Sequence, residues 1–281
     1  MGSWQERCDN VKIYISADIE GISGVVAINQ VIPGERDYQR SRELMTKEVN
    51  AAIEGAIEIG ATEIVVNDLH GAGTNIMIES LNNKAQLITG PSRKGAMMEG
   101  LDSSFDAVIL IGYHPRMNVS GVLSHSFHGG VVSNININGK DVGEFYMNAC
   151  VAGYFNVPVV LVSGDNILEE EVKEVNAAIE TVVVKTSYGR YAAKCLAPSV
   201  VYDKIKEKVK TALINARNIQ PVKLQELPEM KVTFLNSGQA EYASIMPGTV
   251  FDEPNIVSYS GKTIIDIYRA LTAMIKIASS N

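Results

Sequence analysis

Three short apolar runs in the first half of the chain end beside polar side chains. The runs cover residues 12–17, 63–67 and 106–111, and a Gly or Pro follows each of them. Short segments rich in Ile and Val that close in this way are typical of buried β-strands. Between the first two runs, residues 41–59 have apolar positions near helical spacing and Gly60 follows, which predicts a long amphipathic helix.

Strand and helix patterns continue to alternate through the rest of the chain. Residues 134–139 alternate between polar and apolar side chains and end in Asn-Gly, which predicts a β-hairpin. The same criteria predict strands over 85–89, 158–163 and 231–235, and helices over 143–154, 198–218 and 263–278. Residues 220–229, which contain two prolines, are the clearest linker.

This alternation predicts an α/β fold. Right-handed crossovers between the strands would give a mainly parallel sheet with flanking helices. We expect a larger α/β domain over residues 11–165 and a smaller α/β part over residues 166–281, with one single domain as the alternative. The length of 281 residues allows either arrangement.

The charge and the cysteine content limit the possible partners and the cellular compartment. A formal net charge of -7 and the lack of a Lys and Arg cluster argue against a nucleic-acid partner. Cys8, Cys150 and Cys195 form no C-x-x-C pair, which argues against a disulfide framework and favours a reducing compartment. Because no apolar stretch reaches about 18 residues and no signal peptide is recognisable, we expect a cytoplasmic protein without a membrane partner.

Four potential metal ligands lie just past the predicted strands. Asp18 and Glu20 follow the first run, His70 follows the second and His114 follows the third. Ligands bind outside the carboxyl ends of the strands in an open parallel sheet, so these side chains are expected to converge. Carboxylate and imidazole ligands suit zinc or another first-row divalent metal. The pattern predicts a metal-dependent hydrolase, although carboxylates can also cap a helix and histidines can bind a backbone carbonyl.

Three further polar residues have open roles at this stage. His125, in Ser124-His125-Ser126, could be a third ligand, a catalytic base or a surface residue of a loop. Glu144 lies at a predicted helix start, where the helix dipole favours an acidic residue even without a function. His128, beside two glycines, is interpreted as a loop residue.

Familiar motifs of other enzyme classes are absent from the sequence. We find no G-x-G-x-x-G after a strand, no P-loop, no H-E-x-x-H and no G-x-S-x-G. An aspartate-nucleophile phosphatase would need D-x-D-x-T after its first strand, whereas Glu20 and Ile22 occupy the later positions.

Several polar motifs nevertheless form a recognisable set. They are Asp18-Ile19-Glu20-Gly21-Ile22-Ser23-Gly24, Asn67-Asp68-Leu69-His70, Gly112-Tyr113-His114, Ser124-His125-Ser126 and Val142-Gly143-Glu144. Later segments extend it: Lys194-Cys195-Leu196-Ala197-Pro198, Gly238-Gln239-Ala240-Glu241 and Met246-Pro247-Gly248. In this order, from about residue 11 to residue 275, the chain resembles the D-aminopeptidase family of the dipeptide-transport operon, the M55 peptidases.

The resemblance implies two Zn²⁺ ions per subunit and a specific set of ligands. Asp18 would bridge the two ions, Glu20 and His114 would complete one site, and His70 and Glu144 would complete the other. By the same resemblance, His125 would be the catalytic residue. Members of the family form rings that enclose the active sites and remove amino-terminal D-residues from short peptides.

The resemblance therefore implies a zinc-dependent aminopeptidase, a short peptide substrate and a ring-shaped homo-oligomer. The residues alone leave two alternatives open. One is a metal-dependent phosphohydrolase that uses the same ligands, and the other is a non-catalytic protein that binds metal or peptide.

Overall fold

A computed structural model describes residues 11–91, 93–224 and 227–280 of the chain. Cys8 lies outside these residues, as does part of the linker predicted over residues 220–229. Cys150 is a buried free thiol and Cys195 is an exposed one. Among the helices in the described residues, we find none with the length and apolar character that crossing a membrane requires.

The described residues form strands and helices that alternate along most of the chain. The strands are β1 (Lys12–Ala17), β2 (Glu63–Asp68), β3 (Ala85–Ile88), β4 (Ala107–Ile111), β5 (Val132–Ile137), β6 (Lys140–Asp141), β7 (Val159–Asp165), β8 (Glu180–Gly189), β9 (Ala192–Cys195), β10 (Glu229–Phe234), β11 (Thr249–Glu253) and β12 (Ile256–Ser260). The helices are α1 (Tyr38–Glu58), α2 (Glu144–Tyr154), α3 (Asn166–Val175), α4 (Pro198–Ile214), α5 (Ser237–Ala243) and α6 (Ile264–Ala278).

Seven strands form the first sheet, in the order β3-β2-β1-β4-β7-β8-β9. All neighbours are parallel except β8 and β9, which form an antiparallel hairpin. Every residue of β4 and β7 is buried, as expected for central strands that are covered on both faces. Helices α1 and α4 pack against each other, α1 contacting β1 and β4 and α4 contacting β7 and β8. The predicted α/β fold with a mainly parallel sheet is confirmed.

A second sheet is antiparallel, in the order β11-β12-β10-β5-β6. Asn138 and Gly139 connect β5 to β6 with φ values of 50° and 85°, so the hairpin predicted from Asn-Gly is confirmed. The sequence patterns did not predict β8, β9, β11, β12, α3 or α5. Four of the five residues of β11 are exposed, so this strand lacks the apolar run by which strands were recognised.

Each sheet contains strands from both sides of residue 165. The first sheet includes β8 and β9, and the second includes β5 and β6 together with β10 to β12. The division into residues 11–165 and 166–281 stays a prediction. Each sheet nevertheless joins strands from both parts by hydrogen bonds.

The C-terminal helix α6 is packed within its own subunit along one face. Thr263 and Asp266 form a capping box at its start, with the Thr263 amide donating to Asp266 Oδ2 over 2.9 Å. Ile267, Leu271 and Met274 are fully buried, and α6 contacts α2, α5, β10 and β12. This helix therefore joins the second sheet to the helix that begins at Glu144.

Candidate metal centre

The sequence-predicted side chains come together at the carboxyl edge of the first sheet. Asp18 and Glu20 follow β1, His70 follows β2 and His114 follows β4, while Glu144 is the first residue of α2. The relative exposure of Asp18, Glu20, His114 and Glu144 is 5% or less. His128, in contrast, is exposed, and its Nδ1 accepts a hydrogen bond from the Gly130 amide. The structure thus gathers the five expected ligands and leaves His128 in a surface loop.

Two glycines allow the turns after β1 and β4 to touch. The Gly21 amide donates to the Gly112 carbonyl over 2.7 Å. A Cβ atom on Gly21 would lie 1.9 Å from the Tyr113 carbonyl oxygen, and one on Gly112 would lie 2.3 Å from the Asp18 carbonyl oxygen. Gly112 also has a φ of 71°, which side chains disfavour. Larger residues at these positions would push apart the turns that carry Asp18 and His114.

On one side of the site, which we call the Glu20 side, Glu20 pairs with His70. His70 Nδ1 lies 3.0 Å from Glu20 Oε2 and 3.4 Å from Asp18 Oδ1. The opposite ring nitrogen, Nε2, is 2.7 Å from the Val31 carbonyl oxygen, to which it donates when protonated. That hydrogen bond leaves Nδ1 facing the carboxylates.

On the other side, the Glu144 side, His114 pairs with Glu144. His114 Nε2 lies 3.2 Å from Glu144 Oε1 and 3.5 Å from Asp18 Oδ2. His114 Nδ1 is 3.0 Å from the Pro115 carbonyl oxygen, so this histidine faces the site through the nitrogen opposite to the one that His70 uses. The Phe127 amide donates to Glu144 Oε1 over 2.6 Å and fixes the carboxylate.

His125 lies against the Glu144 side. Its ring stacks on that of His114, with centroids 4.0 Å apart and an interplanar angle of 12°. His125 Nδ1 is 2.9 Å from the Leu123 carbonyl oxygen, and Nε2 is 3.9 Å from Glu144 Oε1. The second nitrogen of the ring is therefore directed toward the carboxylates and not toward the backbone.

The electrostatics of the site reflect three buried carboxylates next to imidazoles. Burial, and then the charge of Glu20, raises the pKa of Asp18. Burial works against ionisation of His114, but Glu144 and Asp18 overcome it and raise the pKa of His114 to about 10. Burial, and then the charge of His114, lowers the pKa of His125. Buried carboxylates this close repel one another unless cationic groups lie between them.

The chemistry of these residues fits a divalent metal. His114 Nε2 is buried and makes no hydrogen bond within the described residues, although Glu144 Oε1 is 3.2 Å away and an imidazole nitrogen in a polar site normally makes one. In each of two sets of side chains, the ligand atoms lie within 4.8 Å of one another. The first set is Asp18, Glu20 and His114, and the second is His114, His125 and Glu144. Oxygen and imidazole ligands at this spacing are the combination that zinc binds in proteins.

The shortest contacts between ligand atoms do not follow the two zinc sites that the resemblance implied, although the set of Asp18, Glu20 and His114 does. The resemblance placed Glu20 with His114 and His70 with Glu144. In the structure the close pairs are Glu20 with His70, at 3.0 Å, and Glu144 with His114, at 3.2 Å. The two oxygens of Asp18 point to different histidines, Oδ1 to His70 and Oδ2 to His114.

A buried lysine that was not predicted from the sequence holds the turn after β1. Lys185, on β8, has 1% relative exposure, and its Nζ donates to the carbonyl oxygens of Glu20 (2.5 Å), Ile22 (2.9 Å) and Val25 (2.5 Å). From α1, Glu48 Oε1 accepts the Ser23 amide over 2.9 Å. The only local sequence signal for this lysine was its position directly after Val182-Val183-Val184. A lysine at the exposed end of a strand would show the same pattern.

A second network holds the Glu144 side without formal charges. Tyr268 Oη donates to Asn148 Oδ1 and Asn148 Nδ2 donates to Tyr113 Oη, each over 2.9 Å. The Tyr113 and Ser16 hydroxyls are 2.7 Å apart. Asn148 lies one helical turn after Glu144, and Tyr113 precedes His114, so this buried network connects the two segments that carry these ligands.

Comparison with known proteins identifies the family of the chain. The family model of the D-aminopeptidases, Peptidase M55, matches residues 11–273. A D-aminopeptidase of Bacillus subtilis (strain 168) is 39% identical over 269 residues, which cover 95% of this chain and 98% of the relative. A solved structure, described as the Zn-dependent D-aminopeptidase DppA from Bacillus subtilis, a self-compartmentalizing protease, superimposes with a TM-score of 0.94 at 39% identity and covers 96% of this chain and 99% of that chain. The chain therefore belongs to the D-aminopeptidase family of M55 peptidases.

Proposed function

We propose that this protein is a zinc-dependent aminopeptidase that releases amino-terminal D-residues from short peptides. The observation that carries the proposal is the convergence at one sheet edge of the buried Asp18, Glu20, His114 and Glu144 with the half-buried His70, around the His114 Nε2 atom that makes no hydrogen bond to the described residues. Membership of the D-aminopeptidase family supports the same reaction class.

We assign two zinc ions to the site. Asp18 would hold both ions, because its two carboxylate oxygens are directed to different histidines. Glu20 and His114, whose ligand atoms lie within 4.8 Å of those of Asp18, would complete one position, and His70 and Glu144 would complete the other. When bound, the zinc ions would activate a water molecule and polarise the scissile carbonyl.

His125 is the catalytic residue in this proposal. Its Nδ1–H donates to the Leu123 carbonyl, so Nε2 has a free electron pair next to Glu144. Nε2 can accept a proton from the attacking water and then transfer it to the leaving amine. The free amino group of the peptide would bind beside the acidic ligands, which is why the enzyme acts on amino-terminal residues.

A substrate panel tests the reaction class. We expect the zinc-loaded protein to hydrolyse D-aminoacyl dipeptides and amides faster than their L-counterparts, and to lose this activity after exhaustive chelation. Hydrolysis of phosphate esters instead would identify a phosphohydrolase. Zinc and peptide binding without hydrolysis would identify a non-catalytic binding protein, and either result would overturn the proposal.

We also propose a ring-shaped homo-oligomer that encloses the active sites, in the cytoplasm. The support for the ring is the description of the related solved structure as self-compartmentalizing. Short peptides would reach enclosed sites, whereas folded proteins would be excluded by their size. Light scattering during turnover tests the assembly, and a fully active monomer of 30.5 kDa would contradict it.

A further inference from the structure

The loop that carries His125 has an unusual backbone. Leu123 and Phe127, two residues before and after His125, have φ values of 50° and 59°. Residues other than glycine rarely adopt this left-handed backbone conformation, which costs them about 1 kcal/mol or more per residue. Such a conformation persists only when surrounding contacts impose it.

The tip of the β8–β9 hairpin supplies these contacts through Arg190. The Leu123 amide donates to the Arg190 carbonyl over 2.9 Å. Arg190 Nη1 donates to the carbonyl oxygen of Ser124 and lies 3.2 Å from its Oγ. The backbone and the side chain of one residue thus bind two consecutive residues of the His125 loop.

Two further contacts fix the hairpin tip itself. Ser187 Oγ donates to the Ser120 carbonyl over 2.9 Å, at the start of the same loop. The Arg190 guanidinium lies over the Tyr191 ring, with its central carbon 5.6 Å from the ring centroid, and Nε donates to Tyr191 Oη. A planar guanidinium that is stacked in this way loses little further freedom when it donates to the loop.

Arg190 affects His125 through the backbone of Leu123. The Leu123 carbonyl accepts the hydrogen bond from His125 Nδ1, and this bond leaves Nε2 unprotonated and directed to the site. Because Arg190 holds the amide of Leu123 and the carbonyl of Ser124, it determines where the Leu123 carbonyl points. We propose that Arg190 is a positioning residue that fixes the orientation and tautomer of His125; this inference rests on the proposed catalytic role of His125.

A double-mutant cycle tests whether Arg190 acts through His125. Arg190→Ala should lower kcat about 10- to 100-fold, since a displacement of about 1 Å in a catalytic group has effects of this size. The zinc content should stay that of the wild type, and KM should change less than kcat. In a His125→Ala background, Arg190→Ala should cause no further loss, because the residue through which it acts is gone.

The matched control is Lys194→Ala, which removes one positive charge from an exposed residue of the same hairpin. It should leave kcat and zinc content unchanged. Arg190→Lys, which keeps the charge but not the planar fork, should recover only part of kcat, and it serves as the second variant if Arg190→Ala does not fold.

A spectroscopic measurement gives an answer that does not depend on turnover. In ¹⁵N NMR of the zinc-loaded protein, His125 should be the Nδ1–H tautomer in the wild type and in Lys194→Ala, and a mixture of tautomers in Arg190→Ala. An unchanged tautomer, additive losses of kcat in the double mutant, or loss of zinc from Arg190→Ala would each overturn the inference. If His125→Ala alone keeps full kcat, the catalytic role of His125 fails and the inference fails with it.

Discussion

The Glu20 side and the Glu144 side of the site contain one carboxylate and one histidine each, yet different chemistry holds them. On the Glu20 side, the buried Lys185 ammonium binds three carbonyl oxygens of the turn that contains Glu20. On the Glu144 side, the neutral network through Tyr113, Asn148 and Tyr268 joins the flanking segments. A charged clamp can order an irregular turn, whereas neutral hydrogen bonds are sufficient where a helix already fixes the carboxylate.

The two sides also differ in how their histidines are oriented. His70 binds the Val31 carbonyl with Nε2, and His114 binds the Pro115 carbonyl with Nδ1. Each of these backbone contacts leaves the other nitrogen free to face Asp18. The two sides thus use different nitrogens of the imidazole ring, Nδ1 in His70 and Nε2 in His114, and Asp18 is common to both sides.

Asp18→Ala should have the largest effect because it removes the residue that both sides share. We expect both zinc ions to be lost and peptidase activity to fall below detection. The melting temperature should no longer rise when zinc is added, because zinc stabilises only a state that binds it. Metal analysis and calorimetry measure this, and full zinc occupancy in Asp18→Ala would refute the bridging assignment.

His70→Ala and His114→Ala separate the two sides. Each variant should lose one zinc ion per subunit and keep the other, because each removes a ligand from one position only. His128→Ala is the matched control, since His128 is exposed in a loop and should leave zinc content and activity unchanged. Equal loss of both ions from His70→Ala and His114→Ala would mean that the two positions are not independent.

Lys185→Met tests the charged clamp of the Glu20 side. Removing the ammonium frees the carbonyls of Glu20, Ile22 and Val25, and loss of a group that orients ligands typically weakens metal affinity about 10- to 100-fold. Lys173→Met is the control, because Lys173 Nζ also donates to backbone carbonyls, those of Ala177 and Ile179, beyond the end of α3. Zinc titration followed by competition with a chelator should show weaker binding for Lys185→Met only.

Tyr268→Phe tests the neutral network and should have the smallest effect. It removes the donor to Asn148 Oδ1 and leaves this buried acceptor unpaired, which costs about 1–3 kcal/mol of unfolding free energy. Zinc content should not change. Urea unfolding measures the loss, with Tyr242→Phe, at an exposed tyrosine of α5, as the control. Lost zinc in Tyr268→Phe would show that the network acts on the ligands themselves.

Much of the fold and the composition of the site could be predicted from local sequence patterns. Apolar runs located β1, β2, β4 and β7, because strands buried on both faces need continuous apolar residues. Asp18, Glu20, His70 and His114 were identified because they follow these runs and because the ends of parallel strands share one edge of the sheet. The exposed edge strand β11 was missed because its apolar side chains are limited to Val250 and Phe251, too few for the runs by which strands were recognised.

The sequence by itself determined which ligand types stand at the strand ends and the α/β class of the fold. Only the tertiary structure decided which carboxylate pairs with which histidine, which imidazole nitrogen faces the site and which distant residues hold the turns. Lys185 and Glu20 are 165 residues apart, and Arg190 and Ser124 are 66 apart. Contacts over such separations depend on how the strands and their connecting turns pack in space, and no local pattern of the chain encodes them.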